Sequence, residues 1–205
     1  SLVEHNYTTK GTYFVKAHVS MGHGYGAGFG GAISKILQVP KYENGRINSF
    51  LAYACSGASN MTYADFSNLA YEKGVTKFRV GSMFMNCYKL KTVILPSDWI
   101  ITECNSMFNS CNSLESVDFL KNWNTSNVKD MSNAFFSCRS LVTLDLSGWV
   151  VNNVQNTANM FNGTSKLNSL TLNWDLSHVL NLSGMFQGTG LNKIEGITLS
   201  EEPPY

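Results

Sequence analysis

Apolar and polar positions along the chain recur as one long unit. An aromatic anchor appears at Phe84, Phe108, Phe135, Phe161 and Phe186, at steps of 24, 27, 26 and 25 residues. Three residues later stand Cys87, Cys111 and Cys138, then Thr164 and Thr189. Six residues after each of the first four anchors comes Leu90, Leu114, Leu141 or Leu167. An apolar pair spaced by two follows (Val93/Leu95, Val117/Phe119, Leu144/Leu146, Leu170/Leu172), and then a tryptophan (Trp99, Trp123, Trp149, Trp174). Apolar residues also precede the anchors by seven and four positions, as Val128 and Met131 do before Phe135. Spacings of three, four and three describe one face of a short helix. The L-x-x-L-x-L stretch switches to a period of two, which describes a short strand.

A repeat of 20 to 50 residues is the mark of a stacked array, because one such unit cannot bury its apolar face alone. The pattern therefore predicts an α/β fold: a leucine-rich-repeat solenoid of short parallel strands stacked with short helices. Asn124 to Val128 and Asp175 to Val179 supply the turn formers and N-cap candidates between strand and helix. Three segments are expected: an N-terminal β cap and glycine-rich loop (1–32), the repeat array (33–199, divergent over 33–77 and regular over 78–199), and a tail or linker (200–205). In the cap, His5 to Val19 reads as a turn at Lys10-Gly11 feeding an alternating strand. Ile33 to Val39 reads as a degenerate first strand, Ile47 to Cys55 as a degenerate helix, and Met61 to Phe66 as a strand beside an insertion the period does not place. Ser1 in first position and the closing Glu201-Glu-Pro-Pro-Tyr205 suggest a piece of a longer parent chain.

Charge narrows the function. With 14% charged residues and a net charge of +1, the chain lacks the basic stripe of a nucleic-acid binder. No apolar run reaches the 18 or more residues of a membrane span, so no membrane insertion is expected of this fragment. Five cysteines cannot all pair within one chain. Cys87, Cys111 and Cys138 share one interior slot, Cys104 sits four before Phe108, and Cys55 is expected in the slot of Cys87. A column of buried thiols acting as small hydrophobes is the reading; a disulfide or metal site is the alternative.

The remaining motifs carry little chemistry. Gly26, Gly28 and Gly31 satisfy G-x-G-x-x-G, but Pro40 follows too soon for the helix a dinucleotide site needs, so the stretch reads as a loop. His5, His18, His23 and His178 are scattered and form no zinc pattern. The expectation is no enzyme, no cofactor and no metal. The tryptophans read as packing for the turns, with a sugar-stacking platform as the alternative. Binding would fall to the outward positions of the strands, Thr92, Ile94, Ser116, Asp118, Thr143, Asp145, Ser169 and Thr171, since side chains alternate across a strand. These residues have a bland reading too, as simple solvated strand positions.

The residues Leu144-Asp-Leu-Ser-Gly-Trp149, Trp123-Asn-Thr-Ser-Asn-Val128 and Met-Phe-x-x-Cys resemble the BspA-like bacterial surface leucine-rich-repeat family. The likeness covers about residues 78–199. The first hairpin (His5-Asn-Tyr7 and Gly11-Thr-Tyr-Phe-Val15) resembles the closing strands of PKD-type immunoglobulin-like domains over only about 15 residues. The BspA-like resemblance implies an extracellular or surface-displayed bacterial protein. It also implies a non-catalytic module that adheres to a protein or glycan on a host or neighbouring cell. The alternative is a structural spacer or assembly domain of a larger surface protein. The family offers no catalytic residues to carry over, and the oligomeric state is not legible.

Overall fold

The computed structural model describes residues 35–36, 51–67 and 77–199. Within them the chain forms nine short strands and one five-residue 3-10 helix (Asp118–Asn122). All strand pairing is parallel, and it joins equivalent positions of successive repeats. β1 (Lys35–Ile36) pairs with β2 (Tyr63–Asp65), which pairs with β4 (Thr92–Ile94). β3 (Lys77–Arg79) pairs with β5 (Ile100–Glu103), β6 (Thr143–Asp145) with β7 (Ser169–Thr171), and β8 (Trp174–Asp175) with β9 (Ile197–Thr198).

The expected α/β leucine-rich-repeat solenoid is not what forms. The described residues contain no α-helix, and their strands gather into four separate small parallel sheets, not one continuous sheet backed by helices. The expected β cap over 1–32 lies outside the described residues, as do most of 33–50 and all but the last residue of the insertion expected at 68–77, where Lys77 opens β3.

The backbone around each anchor shows why no helix forms. Residues two before and two after the anchor have positive φ: Ser82 and Asn86 around Phe84, Ser106 and Ser110 around Phe108, Asn133 and Ser137 around Phe135, Asn159 and Gly163 around Phe161, Gly184 and Gly188 around Phe186. A right-handed helix does not tolerate left-handed residues at every fourth position. The run is instead a chain of tight turns. Met83, Met85 and Cys87 donate their N–H three residues back, to Val80, Ser82 and Phe84, while Ser82, Phe84 and Asn86 donate to carbonyls of the next repeat (Asn105, Met107 and Asn109). Turns of this length bring every third or fourth side chain inward, as a helix does, so the apolar spacing fits either structure.

What holds the repeats together is aromatic rings stacked from each repeat to the next. Phe84, Phe108, Phe135, Phe161 and Phe186 stack in sequence with centroids 5.5 to 5.8 Å apart. A second group of rings stacks as Phe78 on Trp99 on Trp123, and Trp149 stacks on Trp174. Rings this large and this buried dominate core energetics, and offset stacking adds about 0.5–1.5 kcal/mol per pair. Three tryptophans also donate their Nε1–H to a carbonyl of the preceding repeat: Trp123 to Pro96, Trp149 to Leu120 and Trp174 to Leu146. Each is buried, so the sequence's sugar-stacking alternative has no exposed ring face to work with.

Candidate functional site

The eight outward positions are not carried by one continuous sheet. Thr143 lies opposite Ser169 and Asp145 opposite Thr171 in the β6–β7 pair, so these four come together. Thr92 and Ile94 lie in β4, opposite Tyr63 and Asp65 of β2. Ser116 and Asp118 stand between the two pairs, where the chain turns into the 3-10 helix. Thr92, Ile94, Ser116, Asp118, Thr143, Ser169 and Thr171 are exposed and Asp145 is half-buried. Tyr63 and Asp65 complete the β2–β4 pair. The sequence marked their segment as a strand but gave no reason to align it with Thr92, because the insertion read at 68–77 hides the register.

Asp145 is already engaged within the fold. One carboxylate oxygen accepts the Ser147 N–H at 3.0 Å and its hydroxyl at 2.7 Å; the other meets Lys121 Nζ at 2.5 Å. The Lys121 ammonium, then the Ser147 hydroxyl and N–H, hold the carboxyl down at about 2. The same Asx turn recurs at Asp65, Asn124, Asp130, Asn156, Asp175 and Asn181, each accepting the N–H two residues on. Asp65 and Asp145 on this surface are thus engaged in turns, which leaves the exposed hydroxyls and the Asp118 carboxylate.

A second polar feature was not legible as a site. An open depression of about 510 Å³ is lined by Arg79, Thr102, Glu103, Asn105, Asn127, Lys129 and Asp130. It lies where the repeat length changes: Trp99 reaches Phe108 in nine residues, whereas each later tryptophan takes twelve to the next anchor. The longer connection brings Asn127, Lys129 and Asp130 opposite the shorter one. Arg79 Nε donates to Glu103 Oε2 at 2.6 Å across the pair β3–β5. Gly81 beneath gives these side chains room, since a Cβ there would fall 2.6 Å from Glu103 Oε1 and 2.9 Å from Asn105 Oδ1. The shortened connection was the only sequence signal.

The five thiols are buried and unpaired. Cys87, Cys111 and Cys138 each donate S–H to the anchor carbonyl of the preceding repeat: Cys55, Phe84 and Phe108 respectively. This corrects the position of Cys55, which occupies the anchor slot; Ala58 stands three residues on, in the cysteine slot. The flanking positive φ of Tyr53 and Gly57 gives the same alignment. Among the described residues no group of three or more His, Cys, Asp or Glu side chains is placed to hold a metal, and no helix is long and apolar enough to cross a membrane.

Parallel pairing of equivalent positions, stacked rings and repeated Asx turns define a tandem-repeat protein with a polar, hydroxyl-rich exterior. Within that class the chain belongs to a Mycoplasma protein family of unknown function, DUF285, whose model matches residues 78–196, more than half of the chain. The family is thus a bacterial one. No curated protein and no solved structure matches the chain.

Proposed function

We propose that this chain is a non-catalytic binding module displayed at a bacterial cell surface, recognising a protein or glycan of a host or neighbouring cell. The observation that carries the reading is the register of β6 and β7, which sets the hydroxyls of Thr143, Ser169 and Thr171 side by side on an exposed surface. Repeated arrays of this kind present many weak contacts in fixed spacing, which suits avid rather than tight single-site binding. The resemblance of the repeat to BspA-like surface proteins supports the location.

The test is a glycan and matrix-protein array probed with the folded protein in multivalent form. Asp145 is a poor choice of variant because it holds a turn. Thr143→Ala with Ser169→Ala, and separately Asp118→Ala, keep the fold's internal bonds. A specific hit lost in these variants supports the module; a hit that ignores them moves binding elsewhere.

A second reading is a rigid spacer or assembly domain. It is favoured by charged side chains on the exterior that pair across repeats, Lys91 with Glu115 and Lys121 with Asp145. A blank array with folding confirmed selects it.

A further inference from the structure

The last repeat differs from the others in what its backbone does. In the repeat before it, Thr157, Asn159, Phe161 and Gly163 donate their N–H groups forward, to Asn181, Ser183, Met185 and Gln187. The equivalent groups in the last repeat are those of Leu182, Gly184, Phe186 and Gly188. Among the described residues none of them meets an acceptor, although the N–H groups between them are all used: Ser183 on the Asn181 side chain, Met185, Gln187 and Thr189 on carbonyls three back. The side chains tell the same story. Phe84, Phe108, Phe135 and Phe161 are at most 1% exposed, but Phe186, stacked on Phe161 at 5.7 Å, is only partly buried. Leu182 and Leu191 are partly buried, and Ile194 and Leu199 are exposed.

This edge has a definite polarity. Its turn row offers donors only, at every second residue, so what completes it must offer carbonyls at every second residue. Two copies meeting edge to edge about a two-fold axis would set donor against donor. The flat outer face of Phe186 calls for one ring, 5.5 to 5.8 Å away, as at every earlier step. We infer that this edge docks one more repeat-like polypeptide segment, a run of tight turns with alternating outward carbonyls and an aromatic side chain at its middle. The recognition is backbone pairing to an open edge, with the ring as anchor. It is independent of the strand-face reading, since it uses the end of the array and not its flank.

The probe is a synthetic peptide copying residues 153–167, which carries that carbonyl pattern around Phe161. It is added to the intact 205-residue protein while amide exchange is followed by NMR. Docking slows exchange at Leu182, Gly184, Phe186 and Gly188 by about tenfold or more, with Asn159 and Phe161 of the protein unchanged as internal references. The same peptide carrying Phe161→Ala protects much less at equal concentration. Three results overturn the inference. The four amides stay fast at millimolar peptide. They are already slow in dilute protein alone, meaning the chain covers its own edge. Or they slow with protein concentration without peptide, which makes a second copy the occupant.

Discussion

Cys111 Sγ lies 3.1 Å from the carbonyl oxygen of Phe84, one repeat earlier, and donates its S–H there. In the same slot Thr164 donates instead to Phe161, the anchor of its own repeat, at 2.6 Å. The slot therefore accepts a thiol bonded backward or a hydroxyl bonded locally. Cys111→Ala, which leaves the Phe84 carbonyl without this donor and opens space, is expected to cost about 1–2 kcal/mol in urea unfolding. Cys111→Thr should cost clearly less; a threonine as damaging as alanine would remove the equivalence.

Burial raises all five thiols, Cys87 to about 12 from 9.0. The native protein at pH 8 is expected to be inert to a thiol reagent until denaturant is added, when all five label. The sign of the pH effect follows from linkage. The unfolded thiols ionise first, so the stabilising contribution is whole below pH 9 and for Cys87 is lost as pH rises towards about 12. Denaturation midpoints measured from pH 8 to 11 should fall, and fall less in Cys87→Ala.

Asp145 works in the opposite direction. Its depressed carboxyl stabilises the fold above pH 3.8 and loses that contribution as pH falls through about 2. NMR of the carboxyl carbon should give a midpoint near 2, moving up in Lys121→Ala. A midpoint that ignores Lys121 would assign the shift to Ser147 alone.

Left-handed backbone makes a stability prediction of its own. Tyr53 has φ 63°, an expensive setting for a bulky side chain, and its ring is exposed. Tyr53→Asn should stabilise by about 0.5–1 kcal/mol, and Asn133→Val, which puts a branched side chain at φ 56°, should cost about 1–2 kcal/mol. Thermal unfolding of the two variants checks both signs.

Two glycines separate rigid from yielding neighbours. A Cβ on Gly148 would fall 2.3 Å from the backbone oxygen of Lys121, which the fold holds in place. Gly148→Ala should cost about 1–3 kcal/mol. At Gly81 the obstruction is the end of the Glu103 side chain, which can swing away at the expense of an exposed ion pair, so Gly81→Ala should cost under about 1 kcal/mol. Equal losses at both positions would contradict this account.

The repeat, its inward side chains and the location of β4, β6 and β7 were legible because each rests on apolar spacing. The wall around the anchors was misread because three-and-four spacing is shared by a helix and by successive tight turns. A better signal was present: Ser, Asn or Gly stands two before and two after every one of the five anchors, the residue types that best tolerate or most often accompany left-handed turns. Cys55 was misplaced because its neighbours were aligned on the cysteine and not on Tyr53 and Gly57. Seven of the eight positions read as outward are exposed, but Ser116 and Asp118 lie at the start of the 3-10 helix and not on a strand, and Asp145 is held in the turn that its Asp-x-Ser spacing describes. The depression at Arg79 and Lys129 needs the offset of two connections in space, which no single repeat records.

The alternation of N–H groups has a genetic consequence. Along each turn run, odd and even amides serve different partners, one set within the repeat and one set in the next. A duplication or loss of a whole repeat leaves both sets matched, so gene segments of this length can be gained or shed without redesigning their neighbours. One extra codon inside the run exchanges the two sets from that point to its end. Length variation among natural alleles should therefore come in whole units, or fall in the connections after the tryptophans, where the interval already changes from nine to twelve residues.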